Sequence, residues 1–153
     1  RRKLDPVREL DPGTWAEALR DAAESLLKKE PGRAEAIYAV LCRAPQATSE
    51  DRYTWARLQL LHSTRDPHPH ARQRDPALAE LQKLADSGFP VAKTLSGDKS
   101  IDDETRYYVA FHFAEQTVPE LRAIGVALLE AIAEKAGRTK LGKAAKNKLA
   151  LLS

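Results

Sequence analysis

The sequence predicts an all-α fold of stacked antiparallel helical hairpins, about six or seven helices in all. Apolar residues recur at helical spacing along most of the chain, and Pro and Gly fall where such helices would end. No stretch reads as a strand. At 153 residues the chain suits one domain, long enough to bury about two-thirds of its unfolded surface. Residues 1–13 read as an N-terminal extension and 14–153 as a single helical domain.

The first helix is predicted from Thr14 as N-cap, with Trp15, Leu19, Ala22, Ala23 and Leu26 on one face and Glu17, Arg20, Asp21, Glu24 and Lys28 opposite. Pro31-Gly32 interrupts it. A second stripe at Ala34, Ile37, Tyr38 and Leu41 runs towards Pro45, and the short gap forces the two helices antiparallel. Thr48 or Ser49 opens a third helix through about His62, carrying Tyr53, Trp55, Ala56, Leu58, Leu60 and Leu61. Residues 65–74 hold two prolines and no stripe, and are expected to be a mobile loop.

Asp75-Pro76 reads as an N-cap with Pro at the first helical position, ahead of Leu78, Leu81, Leu84 and Ala85, with Gly88 as the stop and Phe89-Pro90 stapling the exit. A short turn or helix is expected around 91–96. Ser100 to Asp103 reads as a capping-box variant. The helix behind it, Thr105 to Gln116, has apolar groups around most of its circumference and is expected to be enclosed by neighbours. The next runs from about Pro119 to Ala136, with Leu121, Gly125, Leu128, Leu129 and Ile132 on one face, and Gly137 ends it. A last helix, about 139–152, closes the chain.

Composition restricts the chemistry. Twenty-five Lys and Arg against 22 Asp and Glu leave a net charge of only +3, a weak draw for nucleic acid. Charge interrupts every apolar run, so no membrane span is expected. The single Cys42 cannot form an internal disulfide and fits a cytoplasmic location, as a small apolar filler. The absence of Met predicts a piece of a longer polypeptide, whose activity could lie elsewhere. His68-Pro69-His70 offers two imidazoles, where zinc wants three or four ligands, so no metal is expected. No glycine-rich phosphate loop follows a strand, and Glu50-Asp51 and Asp102-Asp103 suit helix N-termini, so neither a cofactor nor a catalytic residue is assigned. An enzyme would need a cleft gathering distant groups such as His62 and His112.

The segment Arg106-x-x-Val109-Ala110-x-x-Phe113, then Gly125-x-x-x-Leu129-x-x-Ile132, resembles a tetratricopeptide repeat hairpin over about 104–136, preceded by degenerate hairpins at 14–44 and 50–88. Ala110 and Gly125 match the small residues at which that family's helices cross, Arg106 stands where the family has Trp, and the family's helix-ending Pro is absent near 137. A HEAT-like superhelix or an irregular bundle is the alternative. The resemblance implies a non-catalytic scaffold or adaptor that binds a peptide or protein segment in a helical groove. It places Glu104, Tyr108, Phe111 and Glu115 on the inner face, flanked by Tyr107 and His112, and makes the last helix a solvating cap. His112 also reads as a buried histidine satisfied by a hydrogen bond, and the rings as core.

The last helix carries the competing signal. Arg138, Lys140, Lys143, Lys146 and Lys148 lie in a stretch with no acid, while Leu141, Ala145, Leu149 and Leu152 form its apolar stripe. Arg138, Lys140, Lys143 and Lys146 are therefore candidate anion or nucleic-acid contacts. Nucleic acid ranks behind a protein partner because no aromatic is available for stacking. Self-association through the all-round apolar helix is a further partner class.

Overall fold

A computed structural model describes residues 11–65 and 71–153, with the side chains of 62–65 and 71–75 left out. The described residues are all-helical, with no strand among them. Eight helices follow in order: α1 Pro12–Leu26, α2 Pro31–Leu41, α3 Ser49–Arg65, α4 Ala71–Asp86, α5 Val91–Gly97, α6 Asp103–Ala114, α7 Pro119–Lys135 and α8 Lys140–Leu152. Two compact units divide between Ala77 and Leu78, within α4.

In the first unit α1 packs on α2 and α2 on α3. Ala16, Ala23, Ala34, Tyr38, Leu41 and Leu58 form its buried cluster, with Trp15, Leu19, Ile37 and Trp55 packed against it. Ala22, expected on the apolar face, is exposed, and Ala16 takes the buried place. The N-cap of α1 is Asp11, not Thr14: its carboxylate accepts from the Thr14 backbone N–H at 2.9 Å, and Pro12 fills the first helical position. A carboxylate is the stronger acceptor, and Pro loses nothing where the N–H is unused. At α3, Thr48 and Asp51 form a reciprocal capping box, Thr48 N–H donating to Asp51 Oδ2 at 2.9 Å and Asp51 N–H to Thr48 Oγ1 at 3.1 Å.

Arg20, expected on the solvent side of α1, turns instead to the buried Asp51 and donates from Nε and Nη2 at 2.7 Å each. Its fork matches both carboxylate oxygens. Burial alone would push the Asp51 carboxyl up, but the Arg20 guanidinium and the Thr48 donors outweigh it and hold the carboxyl below the usual aspartate range.

The helix expected to start at Asp75-Pro76 begins at Ala71, and Pro76 lies inside it. As the sixth residue of α4, Pro76 removes one backbone bond, near an end where the first N–H groups have no helical partner. Residues 71–74 of the expected loop are thus helical, and the rest of it, with His68, Pro69 and His70, lies mainly outside the described residues. Residues 1–10 of the expected extension lie outside them too. Gly88, at φ +94°, ends α4 in a Schellman arrangement, with Phe89 N–H donating to Leu84 C=O at 2.9 Å and Gly88 N–H to Ala85 C=O at 3.0 Å.

In the second unit α6 and α7 pair closely, α8 packs on both, and α5 packs on α7. Gly125 sets the crossing: a Cβ there would lie 2.2 Å from the Ala114 backbone nitrogen and 2.7 Å from the Ala110 carbonyl oxygen. Val109, Ala110, Phe113, Leu128 and Leu129 are fully buried around it. The N-cap of α6 is Asp102, which accepts from Thr105 N–H at 2.8 Å, whereas Ser100 bonds back to Asp98. The expected capping box is therefore replaced by a single N-cap two residues later, with Ser100 held by Asp98 in a local turn.

Candidate interaction surface

The site is built on α6, whose sequence supplies buried residues at 105, 106, 109, 110, 113 and 114. That spacing turns one side of the helix into the α7 and α8 contact and leaves 104, 111 and 115 outside. The expectation that neighbours enclose α6 is corrected here. Phe111 keeps 40% of its surface exposed, Glu104 and Glu115 are exposed, and Tyr107, Tyr108 and His112 are half-buried. Val109, Ala110, Phe113 and Ala114 suffice for the helix crossings, so the remaining rings stay at the surface.

Phe111 is held from two sides. The Tyr107 ring lies 6.1 Å from it, tilted by 54°. Lys148 Nζ, from α8, sits 4.1 Å from the Phe111 ring centroid, and the same ammonium pairs with Glu115. A cation fixed over a ring face and neutralised by a carboxylate stiffens both side chains. His112 lies beside Gln116, whose Nε2 donates to the His112 carbonyl at 3.1 Å, and its ring meets the edge of Phe113 at 5.6 Å. The structure thus gathers Phe111, His112 and Glu115 at the C-terminal end of α6, while Glu104 and Tyr108 extend the face along it.

Lys148 was not among the expected site residues, although its spacing pointed inwards. It stands three residues after the buried Ala145 and four before the half-buried Leu152, on the packed side of α8. Arg106 has a structural place: buried at 5% exposure, it donates from Nε to the Leu95 carbonyl at 2.7 Å, from Nη2 to the Asp98 carbonyl and from Nη1 to Asp103 at 2.7 Å. It ties the end of α5 to α6 beneath the surface, where the last carbonyls of a helix need donors.

The other expected contacts lie along α8 and just before its cap. Arg138, Lys140, Lys143 and Lys146 are all exposed, and none has an ion-pair partner among the described residues. Arg138 and Lys146 share an open depression of about 710 Å³ at the α7–α8 corner with Glu134, Lys135 and Thr139. Thr139 caps α8, accepting from Gly142 N–H at 3.0 Å. Among the described residues, no group of three or more His, Cys, Asp or Glu is placed to hold a metal, and no helix is long and apolar enough to cross a membrane. The His62 side chain lies outside the described ones, and Cys42 is half-buried at the end of α2. Comparisons with family models, curated proteins and solved structures returned no match.

Proposed function

We propose that this chain is a non-catalytic protein–protein interaction module, a scaffold or adaptor that holds a peptide or protein segment against the outer face of α6. The observation that carries the reading is Phe111. A large aromatic, 40% exposed and braced by Tyr107 and Lys148, offers apolar area with little side-chain freedom left to lose. Glu104, Tyr108, His112 and Glu115 supply polar tips around it, the pairing of apolar bodies and polar ends that suits peptide recognition. The close approach of Gly125 to Ala110 and Ala114 supports a tetratricopeptide-like hairpin of α6 and α7. A reducing compartment such as the cytoplasm suits the lone Cys42.

The test is capture from a lysate of the source cells, after nuclease, with the unaltered chain and with Phe111→Ser. The expected result is a protein retained by the first and lost by the second, both chains giving the same circular dichroism. Equal capture by both, or recovery of nucleic acid alone when nuclease is omitted, overturns the reading.

A further inference from the structure

We infer that the outward side of α8 docks an acidic peptide segment of a partner protein, with carboxylates over Lys140, Lys143 and Lys146 and an apolar side chain on Leu151; this rests on the interaction-module reading and names its partner class. Charge complementarity carries the inference. Residues 138–153 hold five cations and no acid, and one of the five, Lys148, is turned to α6 and paired with Glu115. The other four, Arg138, Lys140, Lys143 and Lys146, have no ion-pair partner among the described residues. Among the described residues the Lys146 ammonium donates to the Gly137 carbonyl, at 3.4 Å.

Helical geometry orders these charges. At 3.6 residues per turn, Lys140, Lys143 and Lys146 fall within a sector of about 120°. Leu151, 80% exposed, lies eleven residues beyond Lys140, about 16 Å along the same side. A matching ligand presents two or three carboxylates and, at that distance, one apolar residue. A phosphate backbone would meet the lysines but gain nothing from Leu151, and α8 has no ring on which a base could stack. The stripe also continues the surface on α6, since Lys148 follows one turn before Leu151 and covers Phe111.

The experiment is fluorescence anisotropy at roughly 50 and 200 mM salt. The probes are a labelled helix-forming peptide of about 15 residues, with Glu one turn apart and Leu three turns beyond the first Glu, its Glu-to-Gln counterpart, and a single-stranded oligonucleotide of similar length. The expected result is saturable binding of the acidic peptide, weakened about tenfold by the Gln counterpart, by the double variant Lys140→Glu/Lys143→Glu and by high salt. Leu151→Ser weakens the peptide severalfold and leaves the oligonucleotide unchanged. Both lysine changes place acids in the first half of α8, where the helix dipole favours them, so the variant is expected to fold.

An acidic peptide that fails to saturate, or that binds the lysine variant as well as the unaltered chain, overturns the inference. So does an oligonucleotide that binds tighter than the peptide. If the lysine variant loses nothing while Phe111→Ser abolishes capture of a lysate protein, the interaction-module reading stands and the acidic partner falls. If Phe111→Ser leaves that capture unchanged, the reading itself fails.

Discussion

Arg20 and Asp51, 31 residues apart, are joined by two parallel hydrogen bonds of 2.7 Å that tie the middle of α1 to the first turn of α3. Asp51 is 2% exposed and also caps α3, so one carboxylate serves a helix end and an interhelical link. Asp51→Ala removes both and leaves the guanidinium of Arg20 half-covered without its partner. The expected loss is roughly 2–3 kcal/mol, below the range for a fully buried pair because Arg20 retains 24% exposure. Thr48→Ala, which removes only the cap hydroxyl, is expected to cost about 1 kcal/mol. Urea denaturation of both variants measures the difference.

The same carboxyl gives the first unit an acid sensitivity. Its folded-state value lies below the ordinary 3.8, so its stabilisation is fully present above that pH, where the unfolded chain is ionised as well. As pH falls below 3.8, the unfolded chain takes up the proton first, and the stabilisation is lost until the folded carboxyl protonates too. Stability measured from pH 6 downwards should therefore fall more steeply in the unaltered chain than in Asp51→Asn. Parallel slopes would show that the pair carries no proton linkage.

At Gly125 the backbones of α6 and α7 leave no room for a side chain, since a Cβ there would lie 2.2 Å from the Ala114 nitrogen. Backbone cannot swing aside as a flexible side chain can. Gly125→Ala gains about 1 kcal/mol of helix propensity, yet the helices must part, and overpacking of this kind costs about 1–3 kcal/mol or more. A net loss is expected. Gly32→Ala in α2 meets nothing within 4 Å and should be neutral or stabilising. Thermal unfolding should show a lowered midpoint for Gly125→Ala and an unchanged or raised one for Gly32→Ala.

Arg106 was legible as an oddity, a cation at helical spacing from Val109, Ala110 and Phe113, but its role was not. That spacing puts position 106 on the buried side with them; what makes a charge tolerable there is the Asp103 carboxylate one turn earlier, which the sequence shows, together with the carbonyls of Leu95 and Asp98, which no local pattern reveals. Arg106→Lys keeps the charge but cannot fork, and Arg106→Leu leaves both carbonyls without this donor. Arg106→Leu is expected to destabilise the second unit by roughly 3 kcal/mol and Arg106→Lys, which keeps the charge, by less, with hydrogen exchange accelerated first in α5.

Periodicity read the helices well because burial on one side repeats every turn: Ala34, Tyr38 and Leu41 lie inside with Ile37 half-buried beside them, and Leu121, Gly125, Leu128, Leu129 and Ile132 are all buried. It read boundaries less well. Asp11 displaced Thr14 and Asp102 displaced Ser100, since several neighbouring residues can cap and only geometry selects one. On α6 the apolar count was right and its meaning wrong. A ring counts the same in a sequence whether a neighbour covers it or, as at Phe111, only a lysine from another helix does.

Phe111 and Phe113 separate surface from core within two residues of one helix. Phe113 is fully buried, so Phe113→Ala should cost about 3–5 kcal/mol through lost burial and the cavity left behind. Phe111→Ala removes a ring with 40% of its surface in water and one cation contact, and should cost about 1–2 kcal/mol. Lys148→Ala removes the same cation contact from the other side, together with the Glu115 pair, so its effect in the Phe111→Ala background should be smaller than alone. A double-mutant cycle by urea denaturation measures that coupling. Additive losses would mean that the ring and the ammonium do not sense each other, and would remove the brace on which the proposed role of Phe111 rests.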